Sequence, residues 1–249
     1  MSAEKPRALI LAAGQGRRMR SSLPKVLLPL AGRPLIAHIL EALRPLTDEI
    51  AVVVSPANQA EIRERLGERL HYIVQREARG TGHAVRAAEP WLRGFEGALL
   101  VMVGDAPFIS TDILARLCTM RDRGHHAVVF LSVLFPHKPP PWGRVVRAAD
   151  GRVLRIVEEK DASGEEKRIR EVSSSHYCFD TPRLLQTLPA LRADNAQGEY
   201  YLPDVIAGFV RQGYTVEALS TGDTMLPFGV NTPEDMRLAE KLLKKRSRQ

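Results

Sequence analysis

Short unbroken apolar runs alternate along the chain with stretches in which apolar residues recur every three or four positions. Ala8–Ala12, Ile50–Val54, His71–Gln75, Ala98–Val103 and Ala127–Val133 are too short for helices, and they predict mostly buried strands. Between them, Leu35, Ile36, Ile39, Leu40 and Leu43 keep helical spacing, and Asn58–Leu66, Gly82–Leu92 and Asp112–Arg123 predict further helices. Strands alternating with helices imply crossover connections and a mostly parallel sheet covered by helices on both faces. Ligands of such sheets bind beyond the carboxyl ends of the strands, so the loops that follow the strands are the place to look for chemistry.

The pattern changes at Pro136. The run His137–Pro141 is a stiff turn, Gly143–Arg147 and Val153–Glu158 flank the hairpin signal Asp150-Gly151, and Asp161–Arg170 reads as a charged, mobile loop. Val172–Phe179 returns as a strand. We expect residues 136–180 to form a small antiparallel flap over the ligand, without a core of its own. Thr181–Leu191 and Glu199–Gln212 read as helices and Thr215–Leu219 as a strand. The last helix has Thr232 at its N-cap and Pro233 at its first position. The expected organisation is one α/β domain over residues 1–249, ending in a basic tail, 241–249.

Composition narrows the class. A hydrophobic content of 44% with 26% charged residues is that of a folded globular protein. No apolar run is long enough for a membrane span, and Met1–Arg7 lacks the apolar core of a signal peptide. Cys118 and Cys178 have neither paired nor metal-ligand spacing, so a reduced, cytoplasmic setting is expected. The net charge is +7, and part of the excess lies in Lys241, Lys244, Lys245, Arg246 and Arg248. We expect a frayed tail there and no nucleic-acid partner, the remaining charge suiting small anionic substrates.

Chemistry concentrates after the first strand, in Ala8–Leu28, ALILAAGQGRRMRSSLPKVLL. Gly14 and Gly16 permit close backbone approach, so successive N–H groups can converge on phosphate oxygens. Arg17, Arg18, Arg20 and Lys25 add charge, Arg18 as a planar fork and Lys25 as a point charge. Met19 stands where a dinucleotide-binding loop needs its third glycine, and no Walker A string occurs.

Later segments fit the same theme. Gln75 is followed by Gly80-Thr81-Gly82-His83-Ala84, and its amide can donate and accept as a uracil edge requires; the alternative is a helix entry with a surface glutamine. Asp105 follows the most apolar strand and offers a hard oxygen to Mg²⁺, or else a turn or cap residue. Asn231, before the last helix, is a second metal-ligand candidate or a turn residue. Gly143, Glu158 and Lys160 on the flap could meet sugar hydroxyls and a sugar phosphate, against the plainer reading of solvated charges. His83, His125, His126 and His176 lack zinc-ligand spacing and are read as structural or exposed, and Trp91 and Trp142 as packing residues, with a border of the sugar as the alternative for Trp142.

Leu11-Ala12-Ala13-Gly14-Gln15-Gly16-Arg17-Arg18-Met19 with Pro24-Lys25-Val26-Leu27 resembles the signature of sugar-1-phosphate nucleotidyltransferases. The resemblance is strongest to the uridylyltransferase domains of the bacterial bifunctional N-acetylglucosamine-1-phosphate enzymes. It runs nearly end to end through Gly80–Ala84, Gly104-Asp105, Trp142-Gly143-Arg144, Ile156–Ala162, Asn195–Tyr201 and Gly229-Val230-Asn231.

The resemblance implies a Rossmann-like nucleotidyltransferase fold acting on UTP and a sugar 1-phosphate with Mg²⁺. It puts Leu11, Ala12, Ala13, Gly14, Gly16, Gln75, Gly80 and Thr81 on the nucleotide, and Arg18 and Lys25 on the phosphates as catalytic residues. Asp105 and Asn231 fall on the metal, and Gly143, Glu158 and Ser173 on the sugar. The resembling enzymes continue into a left-handed β-helix that transfers acetyl groups. Hexapeptide repeats are absent here, so no acetyl transfer is expected. They also carry Asn-Thr-Gly or Asn-Ser-Gly where this chain has Ser173-Ser174-Ser175, which leaves the sugar open. Thymidylyl or cytidylyl transfer, or nucleotide-sugar sensing without turnover, are the alternatives, and a homo-oligomer is compatible with all of them.

Overall fold

The computed structural model describes residues 4–14 and 16–246. Gln15 of the signature string and Arg248 of the basic run lie outside the described residues, as does the side chain of Arg17.

Among the described residues the main sheet contains nine strands. Seven run in the order β11 (Val216–Thr221), β7 (Val128–Leu134), β10 (Glu171–Asp180), β6 (Ala98–Val103), β1 (Arg7–Leu11), β4 (Ile50–Val54) and β5 (His71–Val74). The remaining two, β8 (Arg144–Arg147) and β9 (Val153–Val157), form a hairpin joined to β10 through β8. The pairs β1/β4, β1/β6, β4/β5 and β11/β7 are parallel. A separate two-stranded hairpin, β2 (Pro29–Leu30) with β3 (Arg33–Pro34), precedes the first helix.

Among the described residues there are eight α-helices: α1 (Leu35–Leu43), α2 (Gln59–Leu66), α3 (Thr81–Ala87), α4 (Glu89–Leu92), α5 (Thr111–Gly124), α6 (Thr181–Thr187), α7 (Asp204–Arg211) and α8 (Pro233–Arg246). Alternate residues of each strand point to opposite faces, and both faces are filled. Leu9, Val53 and Val101 pack with α3, α4, α6 and α7, whereas Ile10, Val52 and Met102 pack with α1, α2 and α5. That double burial explains why these strands read as unbroken apolar runs. A third cluster, Leu30, Leu35, Phe108, Val230 and Ala239, docks α8 against the β2/β3 hairpin.

The carboxyl ends of β1 and β6 are neighbours, with Leu11 paired to Val103 and Gly104 N–H donating to Leu11 O at 2.9 Å. No helix among the described residues is long and apolar enough to cross a membrane.

Several expectations change. The strand predicted inside the flap, β10, instead runs antiparallel through the middle of the sheet between β6 and β7. Val145, Val153 and Ile156 of the adjoining hairpin belong to the main core, so this stretch has no core of its own, as expected. The predicted helix Gly82–Leu92 breaks at Ala88, because Pro90 has no N–H for the carbonyl one turn back. The helix expected from Glu199 begins at Asp204, with Pro203, which has no N–H to donate, at its N-cap.

The basic run Lys241–Lys245 continues α8 and is not a frayed tail. Its start is a reciprocal cap, with Asp235 N–H donating to Thr232 Oγ1 at 3.1 Å and Thr232 N–H to Asp235 Oδ2 at 2.8 Å. Cys118 and Cys178, unpaired by spacing, lie with their sulfurs 3.7 Å apart as free thiols.

Candidate active site

Two clefts open at the carboxyl ends of the central strands. The first, about 260 Å³, is lined by Leu11, Ala12, Ala13, Gly14, Gln75, Gly80 and Thr81, with Lys25, Asp105 and Glu199. Every residue expected on the nucleotide except Gly16 is brought together there. The second, about 220 Å³, holds Gly143, Glu158 and Ser173, the residues expected on the sugar, with Trp142, Ser174, Ser175 and Asn231. Asp105 lines both clefts.

Gly16 works one step back from the cleft. Its φ is +57°, and a Cβ there would sit 2.7 Å from Lys25 Cβ, so the glycine lets the loop close on the lysine stem. The short helical turn Arg17–Met19 then presents Arg18, and a second turn, Lys25–Leu27, presents Lys25. Asn58 supports the loop from beneath. It is buried, its Nδ2 donates to Ala12 O at 2.9 Å and its Oδ1 accepts from Ser55 N–H at 2.8 Å.

Lys25 Nζ contacts Asp105 Oδ2 and donates to Asn231 Oδ1 at 3.1 Å, and Arg18 donates to the same Asn231 oxygen at 3.1 Å. Val230 N–H donates to Asp105 O at 2.9 Å, which ties the loop before α8 to the end of β6. Four residues far apart in sequence thus form one cluster at the seam between the clefts. The Lys25–Asp105 pair is largely shielded, with side chains 14% and 16% exposed.

Asp105 and Asn231 supply two hard oxygens, too few for a protein-only cation cage but suited to Mg²⁺, which completes its shell with phosphates and water. No group of three or more His, Cys, Asp or Glu residues able to hold a metal occurs among the described residues. The donor set therefore fits a cation that arrives with a phosphate ligand. Lys25 now bridges the same two oxygens.

Around the first cleft, Gly80 is required for a different reason. Its φ of +99° is glycine territory, and a Cβ would meet Tyr200 O at 2.6 Å. Gly82 N–H donates to Tyr200 O at 2.7 Å and Tyr200 N–H to Arg79 O at 2.8 Å. Thr81 Oγ1 accepts from Leu202 N–H at 3.0 Å. The segment before α7 is thus stitched to the start of α3, which brings Glu199 into the cleft. Gln75 Nε2 lies 3.1 Å from Gly80 O and 3.0 Å from His83 Nδ1.

The second cleft is lined by two carboxylates, Asp105 and Glu158. Burial is the largest effect raising the Glu158 carboxyl, reinforced by Asp204 and Asp161 and opposed by Arg144. Burial also pushes Asp204 up to about 6, with Asp161 and Asp194 adding to the rise. Ser173 is buried, its hydroxyl 3.2 Å from Tyr177 Oη, and its N–H donates to Gly143 O at 2.9 Å. Ser175 has a left-handed backbone, φ +59°, within the irregular stretch between Ser173 and Tyr177. Desolvation lowers His176 to about 4 and keeps it neutral. Lys160, expected near the sugar, donates to Gln197 Oε1 at 2.6 Å and does not line either cleft.

Arg144 escaped the sequence reading as a site residue. Its guanidinium is fully buried, donating to Glu159 Oε2 at 2.6 Å, to Pro140 O at 3.1 Å and to Trp142 O, and so fixes the wall that carries Trp142 and Gly143. An arginine beside Trp-Gly in a hairpin was the signal. Its partners are visible only in three dimensions.

The profile of the MobA-like NTP transferase domain family matches residues 8–199. The bifunctional protein GlmU of Bacillus velezensis is 38% identical over 240 residues, and that of Shouchella clausii 41% identical over 243. In each case the match covers 96% of this chain and 52% of the relative, so the chain spans about half the length of these relatives. Among solved structures, a Bacillus anthracis protein assigned as a glucose-1-phosphate thymidylyltransferase superposes with a TM-score of 0.75. It is 17% identical, and the match covers 95% of this chain and 94% of that one, a likeness of fold.

Proposed function

This chain belongs to the MobA-like NTP transferase domain family, and we propose that it transfers a uridylyl group from UTP to N-acetylglucosamine 1-phosphate, forming UDP-N-acetylglucosamine and pyrophosphate. The observation that carries the reading is Asp105, whose side chain lines both clefts, so that substrates held in each would meet at one carboxylate. The signature string and the resemblance through Asn195–Tyr201 support the choice of substrates.

In this reading the sugar phosphate oxygen attacks the α-phosphorus of UTP and the bond to pyrophosphate breaks. The attacking monoester is already anionic, so no side-chain nucleophile or strong base is needed. Catalysis is positioning plus charge stabilisation. Arg18 stabilises the departing pyrophosphate, and Lys25, on a flexible stem, turns from Asp105 and Asn231 toward the α-phosphate. Asp105 and Asn231 would hold Mg²⁺, which would supply positive charge to neutralise the phosphates.

A second reading keeps the transfer and changes the acceptor. Ser173-Ser174-Ser175 favours it, because the Ser173 hydroxyl is engaged by Tyr177 and Ser175 takes a backbone conformation suited to glycine. Pyrophosphate release from UTP and Mg²⁺ across a panel of sugar 1-phosphates decides. Fast release with N-acetylglucosamine 1-phosphate is the expected result, and release with another sugar alone selects the second reading. No release with any sugar or any nucleoside triphosphate rejects both.

A further inference from the structure

We propose that His83 fixes which end of the Gln75 amide faces the nucleobase, and thereby sets a preference for a base that presents a ring N–H. The inference rests on reading the first cleft as a nucleoside triphosphate site.

Gln75 is 5% exposed and lines the first cleft at the end of β5. A primary amide is two-sided: its nitrogen donates two hydrogen bonds and its oxygen accepts, and a half-turn exchanges them. An unconstrained glutamine could therefore match a base edge presenting either a donor or an acceptor.

Here the choice is made by two neighbours. Gly80 O, 3.1 Å from Nε2, can only accept, which assigns the nitrogen to that side. The second N–H is directed at His83 Nδ1, 3.0 Å away. For that contact to hold, the imidazole must be neutral with its proton on Nε2, leaving Nδ1 as an acceptor. Both hydrogens of the amide are then taken by the protein. Among the described residues nothing donates to Oε1, so what Gln75 offers the cleft is an acceptor.

An acceptor at that point pairs with the N3–H of uracil or thymine and opposes the N3 lone pair of cytosine. His83 lines neither cleft and would not touch the base, which makes it a positioning residue. Its ring stacks on Tyr200 with centroids 6.3 Å apart, and the backbone of Tyr200 is the one bonded to Gly82. The orientation of the amide is thus secured by the same stitching that holds the cleft wall.

The test is calorimetric binding of UTP and CTP to the full chain, as wild type, His83→Leu and His83→Asn. Asparagine keeps an acceptor oxygen one bond beyond Cγ, where Nδ1 sits, and leucine puts a methyl group there. The wild type is expected to bind UTP more tightly than CTP. His83→Leu should weaken UTP by roughly 3- to 10-fold, the value of one hydrogen bond, and CTP less or not at all, so that the ratio falls. His83→Asn should restore it.

An unchanged UTP to CTP ratio in a His83→Leu protein of unaltered thermal midpoint overturns the inference, as does a wild type that binds the two equally. If the wild type binds neither, the nucleotide reading itself has failed. On the wild type alone, the ¹⁵N shifts of His83 should show the Nε2–H tautomer, and the Nδ1–H tautomer would overturn the assignment.

Discussion

Gly14→Ala distinguishes a glycine kept for a ligand from one kept for the fold. A Cβ built at Gly14 meets no atom within 4 Å, and the residue does not occupy the left-handed region. The folded chain can therefore accept alanine. Because alanine also restricts the unfolded chain, stability should stay the same or rise by about 0.4–1 kcal/mol. The open space above Gly14 is the first cleft, where the account places the phosphates. A methyl group there denies the phosphate its approach to the backbone. Losing one charge-assisted N–H contact costs about 1.5–3 kcal/mol, which is roughly 10- to 150-fold in affinity. Urea denaturation gives the first quantity and calorimetric titration with UTP the second. A Gly14→Ala protein that is stable and binds UTP like the wild type would refute the placing of the phosphates.

Gly80→Ala should behave in the opposite way. With φ at +99° and a Cβ 2.6 Å from Tyr200 O, it should lose roughly 2–5 kcal/mol in urea denaturation, and a loss under 0.5 kcal/mol would contradict the geometry. Arg18→Ala removes an exposed side chain, so stability should hold while turnover falls by on the order of 10²–10³, read as initial rates of pyrophosphate release. Asp204 is pushed up from 3.8 to about 6 by burial and nearby carboxylates, so the folded chain holds a proton there that the unfolded chain has lost. Its cost to stability therefore appears as pH rises from about 4 to 6 and is complete above that. Asp204→Asn should gain about 1 kcal/mol at pH 8, after discounting for the part-exposed side chain, and little at pH 4. An equal gain at both pH values would sink that explanation.

The parts of this molecule legible in its sequence are those whose cause is local or repeated. Ile50–Val54 and Ala98–Val103 reveal themselves as strands because both faces of the sheet are buried, and the start of α8 because Thr232, Pro233 and Asp235 form a cap within four residues. Helix ends misled at two prolines, Pro90, which cannot donate one turn back, and Pro203, which stands at the N-cap of α7. The place of β10 between β6 and β7 could not be read, because the residues of a strand do not say which neighbours it has.

The same division holds at the site. Glycines, cations and an acid after strands announce a phosphate loop and a cleft. Asn58, Arg144 and His83 act through partners 4 to 46 positions away, and what those partners are is visible only in three dimensions. Lys160, a cation beside the sugar residues in sequence, donates to Gln197, in keeping with the plainer of its two readings, a solvated charge.

If the two clefts bring a nucleotide and a sugar phosphate together at Asp105, ³¹P NMR of the wild-type reaction will show the transfer. With UTP, N-acetylglucosamine 1-phosphate and Mg²⁺, pyrophosphate and the diphosphate signals of a nucleotide sugar should grow in equal amounts. Neither should appear when the sugar phosphate is left out. Pyrophosphate formed from UTP alone, or no change with every acceptor tried, would contradict the account.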